Sequence, residues 1–349
     1  MTGDLVPRPI GLPADHTISD RTRERIEQSV PENTRRAYAR WWADFEDWCD
    51  TEKRTPLPAT AATFADYVSA LCDRESKGRK LGAASIEQAI AVIQARHRAA
   101  GLRDELESDG ARRVLKTHRR DLAEDGKRTK EATPITAEML QEWVRKIPVE
   151  KTVRSKKTGR DERRTDVAGI RDRAVLVLGF AMFARRSELV ALNIHDVTFT
   201  ANGLEIYIRS SKTDQAAKGA VVQIPTGKRT TTNPVRVVRA WLDTLASQHI
   251  TEGRLLRAVD RNGNIRGSLS PDGINRIVRA AARRAELEDV HNFTAHSLRA
   301  GGATAAYAGG APISVIAKHG RWSPNSPTPH KYVRAVDGWK DNALKGVDL

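Results

Sequence analysis

The chain has 349 residues, and its 59 Lys and Arg exceed its 44 Asp and Glu, so that the formal net charge is +15 and the pI is near 10.1. This length favours about two domains, since a typical domain has ~150 residues. The positive excess, with a mean hydropathy of −0.53, is typical of a soluble protein that binds a polyanion, although a basic surface can also serve solubility alone.

Composition also excludes several classes of protein. The longest strongly apolar stretch, residues 174–184, is far short of the ~20 residues of a membrane-spanning helix. The N-terminus has no apolar segment of signal-peptide length, so we expect the protein to stay in the cytoplasm, without a membrane partner. Cys49 and Cys72 are the only cysteines, which excludes a disulfide scaffold and an ordinary zinc site.

The first third of the chain predicts helices. Residues 1–18 are rich in Pro and lack periodicity, which predicts a flexible arm. Asn33 or Thr34 can cap a helix whose aromatic residues share one face. Further helices are predicted over residues 60–71, 85–100 and 111–122. Because no strand pattern interrupts them, we predict an all-α domain over residues 19–125.

The rest of the chain predicts a second domain of mixed structure. Residues 126–133 carry Gly and several charges and are interpreted as a linker, so the second domain covers residues 134–349. Helices are predicted over residues 136–146, 170–183, 234–248, 270–286, 296–308 and 312–319, and strands over 204–209 and 220–224. The predicted fold class is mainly α, of the α+β type, with a small antiparallel sheet in a mostly helical second domain.

One charged segment of the second domain allows two interpretations. Residues 151–164 hold seven Lys or Arg and two acidic residues. Such a segment is either a loop that faces DNA or a solvated run of charge, and the residues alone leave both interpretations open.

Two segments that are far apart in sequence could together bind a phosphate. Arg185 lies in FARRSELVAL and Arg299 in TAHSLRAGG. Each guanidinium offers a planar fork of donors to phosphate oxygens, so two of them could neutralise the charge that develops there. His296 lies three residues before Arg299 at a helix start and therefore shares its face. A lone HxxR pattern is a weak signal, and the order of motifs along the chain carries more weight.

The complete series of motifs resembles the tyrosine recombinase (phage integrase) family. It comprises, in chain order, Arg185 with Ser187 and Glu188, Lys212 in a hairpin loop, His296 with Arg299, the Gly320-Arg321-Trp322 run, and Tyr332. The segment AHSLRAGGATAAYAGGAPISVIAKHGRW is a specific match to the second motif of that family. The resemblance covers the predicted second domain, as the catalytic domain. It extends more loosely to residues 20–125, which are similar to the family's helical, SAM-like core-binding domain.

The resemblance implies catalytic roles for individual residues. Arg185 and Arg299 would bind the nonbridging oxygens of the scissile phosphate. Tyr332 would attack phosphorus and form a 3′-phosphotyrosine link. Lys212 would protonate the departing 5′-oxygen as a general acid, and His296 would assist proton transfer, as the base toward the nucleophile.

The remaining implications concern supporting groups and cofactors. Trp322 would pack on the helix of the nucleophile and hydrogen-bond the phosphate through its indole N–H. Glu188 would support the active site, although it could equally be an ordinary acid on a helix surface. One phosphodiester is exchanged for another, so the resemblance implies that no ATP, metal ion or other cofactor is required.

Two neighbouring residues compete with the chosen ones. Arg186 adjoins Arg185, but the spacing to the Ser-Glu pair selects Arg185. Lys218 shares the hairpin loop with Lys212, whereas the SKTDQ context favours Lys212.

The position of the nucleophile departs from the family pattern. Trp322 and Tyr332 are ten residues apart, where the family more often has nine, and the route by which Tyr332 enters the site stays open. Tyr307, inside a predicted helix, is interpreted as a packing residue, and His330 as a solvated loop residue.

The function predicted from this resemblance is site-specific DNA recombination through a Holliday junction. The partner would be double-stranded DNA in the nucleoid, bound by a homotetramer on two sites. Trp339, Val347 and Leu349 would dock on a neighbouring protomer, and the need for accessory proteins stays open. The alternatives are a DNA-relaxing enzyme of the type IB topoisomerase class and a DNA-binding regulator without catalytic activity.

Overall fold

The chain divides into two compact units, Met1–Thr129 and Lys130–Leu349. The computed structural model describes residues 17–76, 78–102, 106–126, 132–154, 158–209, 219–323, 326–332, 344 and 347. The predicted arm and linker lie mostly outside these described residues, and the domain boundaries stay predictions.

The first unit is built mainly of helices. Its elements are α1 (Asp20–Ser29), α2 (Glu32–Thr51), α3 (Ala61–Asp73), β1 (Glu75–Ser76), β2 (Arg79–Lys80), α4 (Ala83–Ala99) and α5 (Asp109–Glu124). The aromatic face of α2 packs into the core as predicted, with the Phe45 ring stacked on Trp48 and tilted against Tyr67 of α3. The two-residue antiparallel pair β1–β2 is a feature that the sequence did not predict.

The helix starts of the first unit show which caps form. Thr60 caps α3, because its hydroxyl accepts a hydrogen bond from the Thr63 N–H at 3.1 Å. The predicted cap of α2 at Asn33 or Thr34 is wrong, since the helix begins at Glu32 after Pro31. The φ of −53° at Pro31 suits a helix start without a side-chain cap.

The second unit is mostly helical with short antiparallel pairs. Its elements are α6 (Ala137–Lys146), β3 (Glu150–Arg154), β4 (Asp161–Thr165), α7 (Val167–Ala181), α8 (Arg186–Ala191), β5 (Val197–Thr200), β6 (Gly203–Ile208), β7 (Ala220–Pro225), α9 (Pro234–Ala246), β8 (Arg257–Val259), β9 (Ile265–Ser268), α10 (Pro271–Arg284), α11 (Ala295–Ala308) and α12 (Ile313–His319). Residues 328–332 are helical as well.

The predicted small sheet forms, with one strand more than predicted. Strands β5, β6 and β7 make an antiparallel meander. Leu204 lies opposite Ile224 and Ile206 opposite Val222, and these four side chains are buried in the core. Alternation of buried and exposed residues is what a strand with one packed face requires. The sequence pattern missed β5, whose VTFT segment is only half-buried.

The described residues of the charged segment 151–164 include two antiparallel strands, whereas residues 155–157 lie outside the described part of the chain. Strand β3 pairs with β4, so that Lys151 lies opposite Arg164 and Val153 opposite Glu162. The described part of the segment is therefore paired strand rather than loop, because backbone hydrogen bonds form a ladder irrespective of side-chain polarity. Whether the segment faces DNA or is a solvated run of charge stays open. Acidic and basic residues occur on both of its faces, and most of them are exposed.

Helix α7 lies at the centre of the second unit. Residues 174–178 are at most 1% exposed, and α6, α9, α10 and α11 pack around the helix. An apolar surface on all sides is typical of a helix buried in a core. Among the described residues, no helix is long and apolar enough to cross a membrane.

Candidate active site

The C-terminal ends of α7 and α12 meet at the candidate site. Just after α7, Phe183 has a φ of 47°, and α8 begins three residues later at Arg186. His319, the last residue of α12, donates from Nε2 to the carbonyl of Ala181 at 2.8 Å. Helix C-termini carry partial negative charge on their last carbonyls and attract cationic side chains.

Arg185 is held by Glu188 and by the backbone after α12. Its Nη1 donates to Glu188 Oε1 at 2.7 Å, and its backbone N–H donates to Oε2 at 2.8 Å. Its Nη2 donates to the carbonyl of Arg321 at 3.1 Å. The Glu188 side chain is 1% exposed and that of Arg185 is 18% exposed. Glu188 therefore fixes Arg185 from inside, whereas the guanidinium stays accessible.

Arg299 reaches the same place from α11. It donates to the carbonyls of Phe183 and Gly320. This reach depends on close helix packing, because a Cβ on Gly302 would lie 2.3 Å from the Phe180 carbonyl oxygen of α7. The ring of Trp322 covers the guanidinium of Arg299, with 3.9 Å between its Cζ and the ring centroid. Arg299 is 2% exposed.

We call Arg185, Glu188, Arg299 and Arg321 the arginine cluster. Burial raises the pKa of the Glu188 carboxyl, but hydrogen bonds and the charge of Arg321, together with hydrogen bonds from Arg185, outweigh it and leave the pKa below its ordinary value. Burial, together with the positive charges of Arg185 and Arg321, lowers the pKa of Arg299 to about 9, although the negative charge of Glu188 opposes this shift. The cluster holds three guanidiniums and one carboxylate, so it favours the approach of an anion.

A tyrosine and a histidine pair beside the arginine cluster. Tyr332 lies in the helical residues 328–332, and its Oη is 3.3 Å from Nε2 of His296. The Thr294 hydroxyl caps α11 by accepting a hydrogen bond from the His296 backbone N–H, and this bond fixes the backbone from which the imidazole extends. The rings of Tyr332 and Trp322 lie 5.7 Å apart. The added residue between Trp322 and Tyr332 thus leaves both side chains in contact.

Both lysines that compete for the role of general acid lie outside the described residues. Both belong to residues 210–218, which come after strand β6 and the described Arg209. Arg209 binds the buried carboxylate of Asp196 at 2.5 Å. Among the described residues, no group of three His, Cys, Asp or Glu side chains is placed to hold a metal ion.

The structure describes two of the competing residues, Arg186 and Tyr307. Arg186 is exposed, one residue beyond the site-forming Arg185. Tyr307 packs in the apolar cluster of Phe183, Ala303 and Ile316, as predicted for a packing residue, although Tyr332 contacts that cluster too.

Sequence reasoning missed two side chains of the site. Arg321 is 8% exposed and forms an ion pair with Glu188 at 2.6 Å. His319 packs its ring 4.4 Å from that of Phe183. Burial lowers the pKa of His319, and the charges of Arg321 and Arg299 add to this effect. Arg321 and His319 lie close to Trp322 in the KHGRW segment, and this proximity was the sequence signal that could have identified them as site residues.

Comparison with known proteins decides the family. Residues 157–338, slightly more than half of the chain, match the model of the phage integrase family. The chain belongs to the phage integrase family. An integrase/recombinase xerD homolog of Selenomonas ruminantium is 32% identical over 331 residues, which are 94% of this chain and 89% of that protein. The recombinase cre of Escherichia phage P1 is 23% identical over 343 residues, 93% of this chain and 92% of its own. The prediction of a tyrosine site-specific recombinase is confirmed.

Solved structures show the same fold in other recombinases. The Tn1549 transposon integrase in complex with transposon right end DNA has a TM-score of 0.56 at 14% identity, over 91% of this chain and 97% of its own. The XerH site-specific recombinase bound to palindromic difH substrate has a TM-score of 0.53 at 14% identity, over 82% of this chain and 72% of its own. The predicted, mainly α fold class of this phage integrase family member is confirmed.

Proposed function

We propose that this recombinase cleaves duplex DNA by attack of Tyr332 on a backbone phosphate. The Tyr332 oxygen forms a bond to phosphorus, the bond from phosphorus to the 5′-oxygen breaks, and a 3′-phosphotyrosine link results. The free 5′-hydroxyl of a partner strand then reverses the step and restores a phosphodiester. The observation that carries the proposal is the 3.3 Å contact of Tyr332 Oη with His296 Nε2 beside the arginine cluster.

His296 acts as the base in this proposal. A phenol has an unperturbed pKa of about 10, so at neutral pH it needs a neighbour that takes its proton during attack. The 3.3 Å separation from Nε2 is within reach of a general base, since such contacts tighten when substrate binds. The neutral tautomer that carries its proton on Nδ1 leaves Nε2 free of hydrogen and able to accept.

The arginine cluster stabilises the charge that grows on the phosphate. Arg185 and Arg299 bind its nonbridging oxygens in the proposal, and both are held in advance by backbone carbonyls. Donors that are already oriented need no reorganisation when charge develops, which lowers the barrier. Trp322 lies on Arg299 and against Tyr332, so it keeps phosphate ligand and nucleophile adjacent.

A covalent-trapping experiment tests the proposed nucleophile. A suicide DNA substrate, nicked near the cleavage point so that the short leaving strand diffuses away, is expected to trap the wild-type protein as a slowly migrating adduct. Tyr332→Phe should bind this DNA with nearly unchanged affinity and form no adduct. Tyr307→Phe is the matched control, since both phenols contact one apolar cluster, and it should still be trapped. An adduct that persists in Tyr332→Phe would overturn the assignment.

Lys212 is proposed as the general acid that protonates the departing 5′-oxygen. General acids contribute about 10²–10⁴-fold to rate, so Lys212→Ala should slow cleavage within that range. A substrate with sulfur at the bridging 5′ position should restore its rate, because a thiolate leaves without a proton. Lys218→Ala should cleave both substrates at the wild-type rate. If instead Lys218→Ala were slow on the normal substrate and regained its cleavage rate on the sulfur substrate, Lys218 would be the general acid.

The proposed partner is double-stranded DNA, bound by four protomers on two sites. The charge of +15 supports affinity for the phosphate backbone. The logarithm of this affinity should fall linearly with the logarithm of the salt concentration. Leu344 and Val347 are more than half exposed, and their chain segment is proposed to dock on a neighbouring protomer. Deletion of residues 338–349 should abolish cooperative pairing of two sites and spare single-site binding. Equal cooperativity without this segment would refute the docking.

A further inference from the structure

Arg321 makes more contacts with the backbone around the site than a surface arginine would. Its Nη1 donates to the carbonyl of His319 at 2.7 Å, and both terminal nitrogens lie 3.2 Å from the carbonyl of Met182. These two carbonyls end α12 and follow α7, respectively. One guanidinium thus ties together the C-termini of two helices, where cations are favoured.

The same side chain also holds the carboxylate that orients Arg185. Arg321 Nη2 donates to Glu188 Oε2 at 2.6 Å, and Glu188 Oε1 accepts from Arg185 Nη1 at 2.7 Å. The side chains of Arg321 and Glu188 are 6% and 1% exposed. A buried carboxylate that binds two guanidiniums has a fixed position, so its contact with Arg321 limits where Arg185 can point.

The backbone of residues 320–321 completes the arrangement. The carbonyl of Gly320 accepts from Arg299 at 2.7 Å, and the carbonyl of Arg321 accepts from Arg185 at 3.1 Å. Arg321 has a φ of 54°, a left-handed conformation that non-glycine residues adopt only when their surroundings enforce it. The side-chain contacts of Arg321 therefore hold a backbone segment whose two carbonyls orient the two phosphate-binding arginines.

We propose that Arg321 is a positioning residue that aims Arg185 and Arg299 at the scissile phosphate. This inference rests on the function proposed above for those two arginines. Arg321 itself is not a third phosphate ligand, because its guanidinium is turned toward the carbonyls after α7 and α12 and toward Glu188.

Three variants separate a positioning role from a charge and from a purely structural role. Arg321→Gly removes the side chain and relieves the left-handed backbone, whereas Arg321→Lys keeps the charge and loses the planar fork. Arg171→Lys is the matched control, because Arg171 is also buried, pairs with Asp172 at 2.6 Å and donates to the carbonyl of Arg257. All are compared at a temperature at which thermal unfolding shows them folded.

Single-turnover cleavage of the suicide substrate at saturating DNA gives the first readout. Arg321→Gly should retain wild-type DNA affinity and lose about 100-fold in cleavage rate, as expected when catalytic groups are misplaced by about 1 Å. Arg321→Lys should lose about tenfold, since one ammonium cannot span the carboxylate and two helix ends. Arg171→Lys should cleave at the wild-type rate.

A neutral substrate gives the second readout, which loss of stability alone would not change. In a methylphosphonate, a methyl group replaces one charged nonbridging oxygen, so less charge develops for the arginines to stabilise. The loss of cleavage rate in Arg321→Gly, relative to the wild type, should shrink from about 100-fold to about tenfold or less on this substrate.

Each outcome bears on one of the two proposals. A wild-type rate for Arg321→Gly, full rescue by Arg321→Lys, or an equal deficit on both substrates would overturn the positioning role. If Arg321→Gly does not fold, the rate of Arg321→Lys and its recovery on the methylphosphonate decide the question. Absence of any adduct with the wild-type protein would instead refute the proposed function.

Discussion

Each unit contains a carboxylate that binds arginine, Asp44 in the first and Glu188 in the second, and the two differ in their surroundings. In the first unit, Asp44 accepts from Tyr67 Oη at 2.7 Å and from Arg74 Nη1 at 2.7 and 2.9 Å. In the second, Glu188 binds Arg185 and Arg321. The first group is electrically balanced, whereas the arginine cluster has an excess of positive charge.

The consequence is clearest for the two tyrosines. Burial raises the pKa of Tyr67, and its hydrogen bond to Asp44 raises it further, so this phenol stays protonated and links α2 to α3. Tyr332 instead contacts His296 and the ring of Trp322, and that ring in turn covers the guanidinium of Arg299. A balanced network holds a fold together, and an unbalanced one is available for an anionic substrate. The following variants test that distinction.

The largest effect is expected from Glu188→Gln. Removal of the carboxylate leaves buried guanidiniums without their counter-charge, which should lower the free energy of unfolding by about 3 kcal/mol. The rate of adduct formation should fall by about 100-fold or more, because Arg185 loses the group that orients it. Chemical denaturation and single-turnover trapping measure the two quantities. Intact cleavage at reduced stability would show that the arginine cluster is structural, like the Asp44 network.

A smaller effect on stability is expected from Gly302→Ala. The added Cβ would lie 2.3 Å from the Phe180 carbonyl oxygen and 2.5 Å from the Phe183 ring, so α11 must move away from α7. Such overpacking costs about 1–3 kcal/mol, and the shift draws Arg299 from the carbonyls that hold it, which slows cleavage.

A second helical glycine provides the control for this variant. A Cβ on Gly110 of α5 would lie 3.4 Å from Ala65 Cβ, an ordinary contact. Gly110→Ala should therefore be neutral or stabilise by about 0.5 kcal/mol. Equal behaviour of the two variants would mean that the close approach of α11 to α7 does not hold Arg299.

Sequence alone predicted the long helices and the order of the site residues. Apolar spacing was sufficient for α3, because a helix of this length carries several turns of pattern. Helix α8 has six residues and β3 consists of EKTVR, so neither carries a detectable period. Their structure depends on tertiary packing and on pairing with a partner strand.

For the candidate site, the sequence could predict only those residues whose type and spacing form a motif. Arg185, His296, Arg299 and Tyr332 carry the resemblance to the family, and the structure brings them to one site. Arg321 could not be predicted to be buried, because arginine is almost never fully buried unless paired. Its pairing with Glu188 joins residues 133 positions apart, a contact that local pattern does not contain.

A loss of stability without a loss of catalysis is expected from Asp44→Asn. The neutral amide weakens the ion pair with Arg74 and the hydrogen bond from Tyr67, which should lower the free energy of unfolding by about 1–2 kcal/mol. Cleavage at saturating DNA should match the wild type, since this network lies in the first unit and the candidate site lies in the second. A slower cleavage step would contradict the view that the balanced Asp44 network serves stability alone.

The smallest effect is expected in the acid range, from His319→Gln. Burial and the charges of Arg321 and Arg299 lower the pKa of His319 below its ordinary 6.5, so between these two pKa values the unfolded chain binds more protons than the folded one. The free energy of unfolding should therefore fall as the pH falls below about 6.5, by at most about 1.4 kcal/mol per pH unit. Gln can still donate to the Ala181 carbonyl but does not titrate, so its dependence should be flatter. His330→Gln, at an exposed histidine, is the control and should keep the wild-type slope. An unchanged slope in His319→Gln would mean that burial and the charges of Arg321 and Arg299 do not lower the pKa of His319.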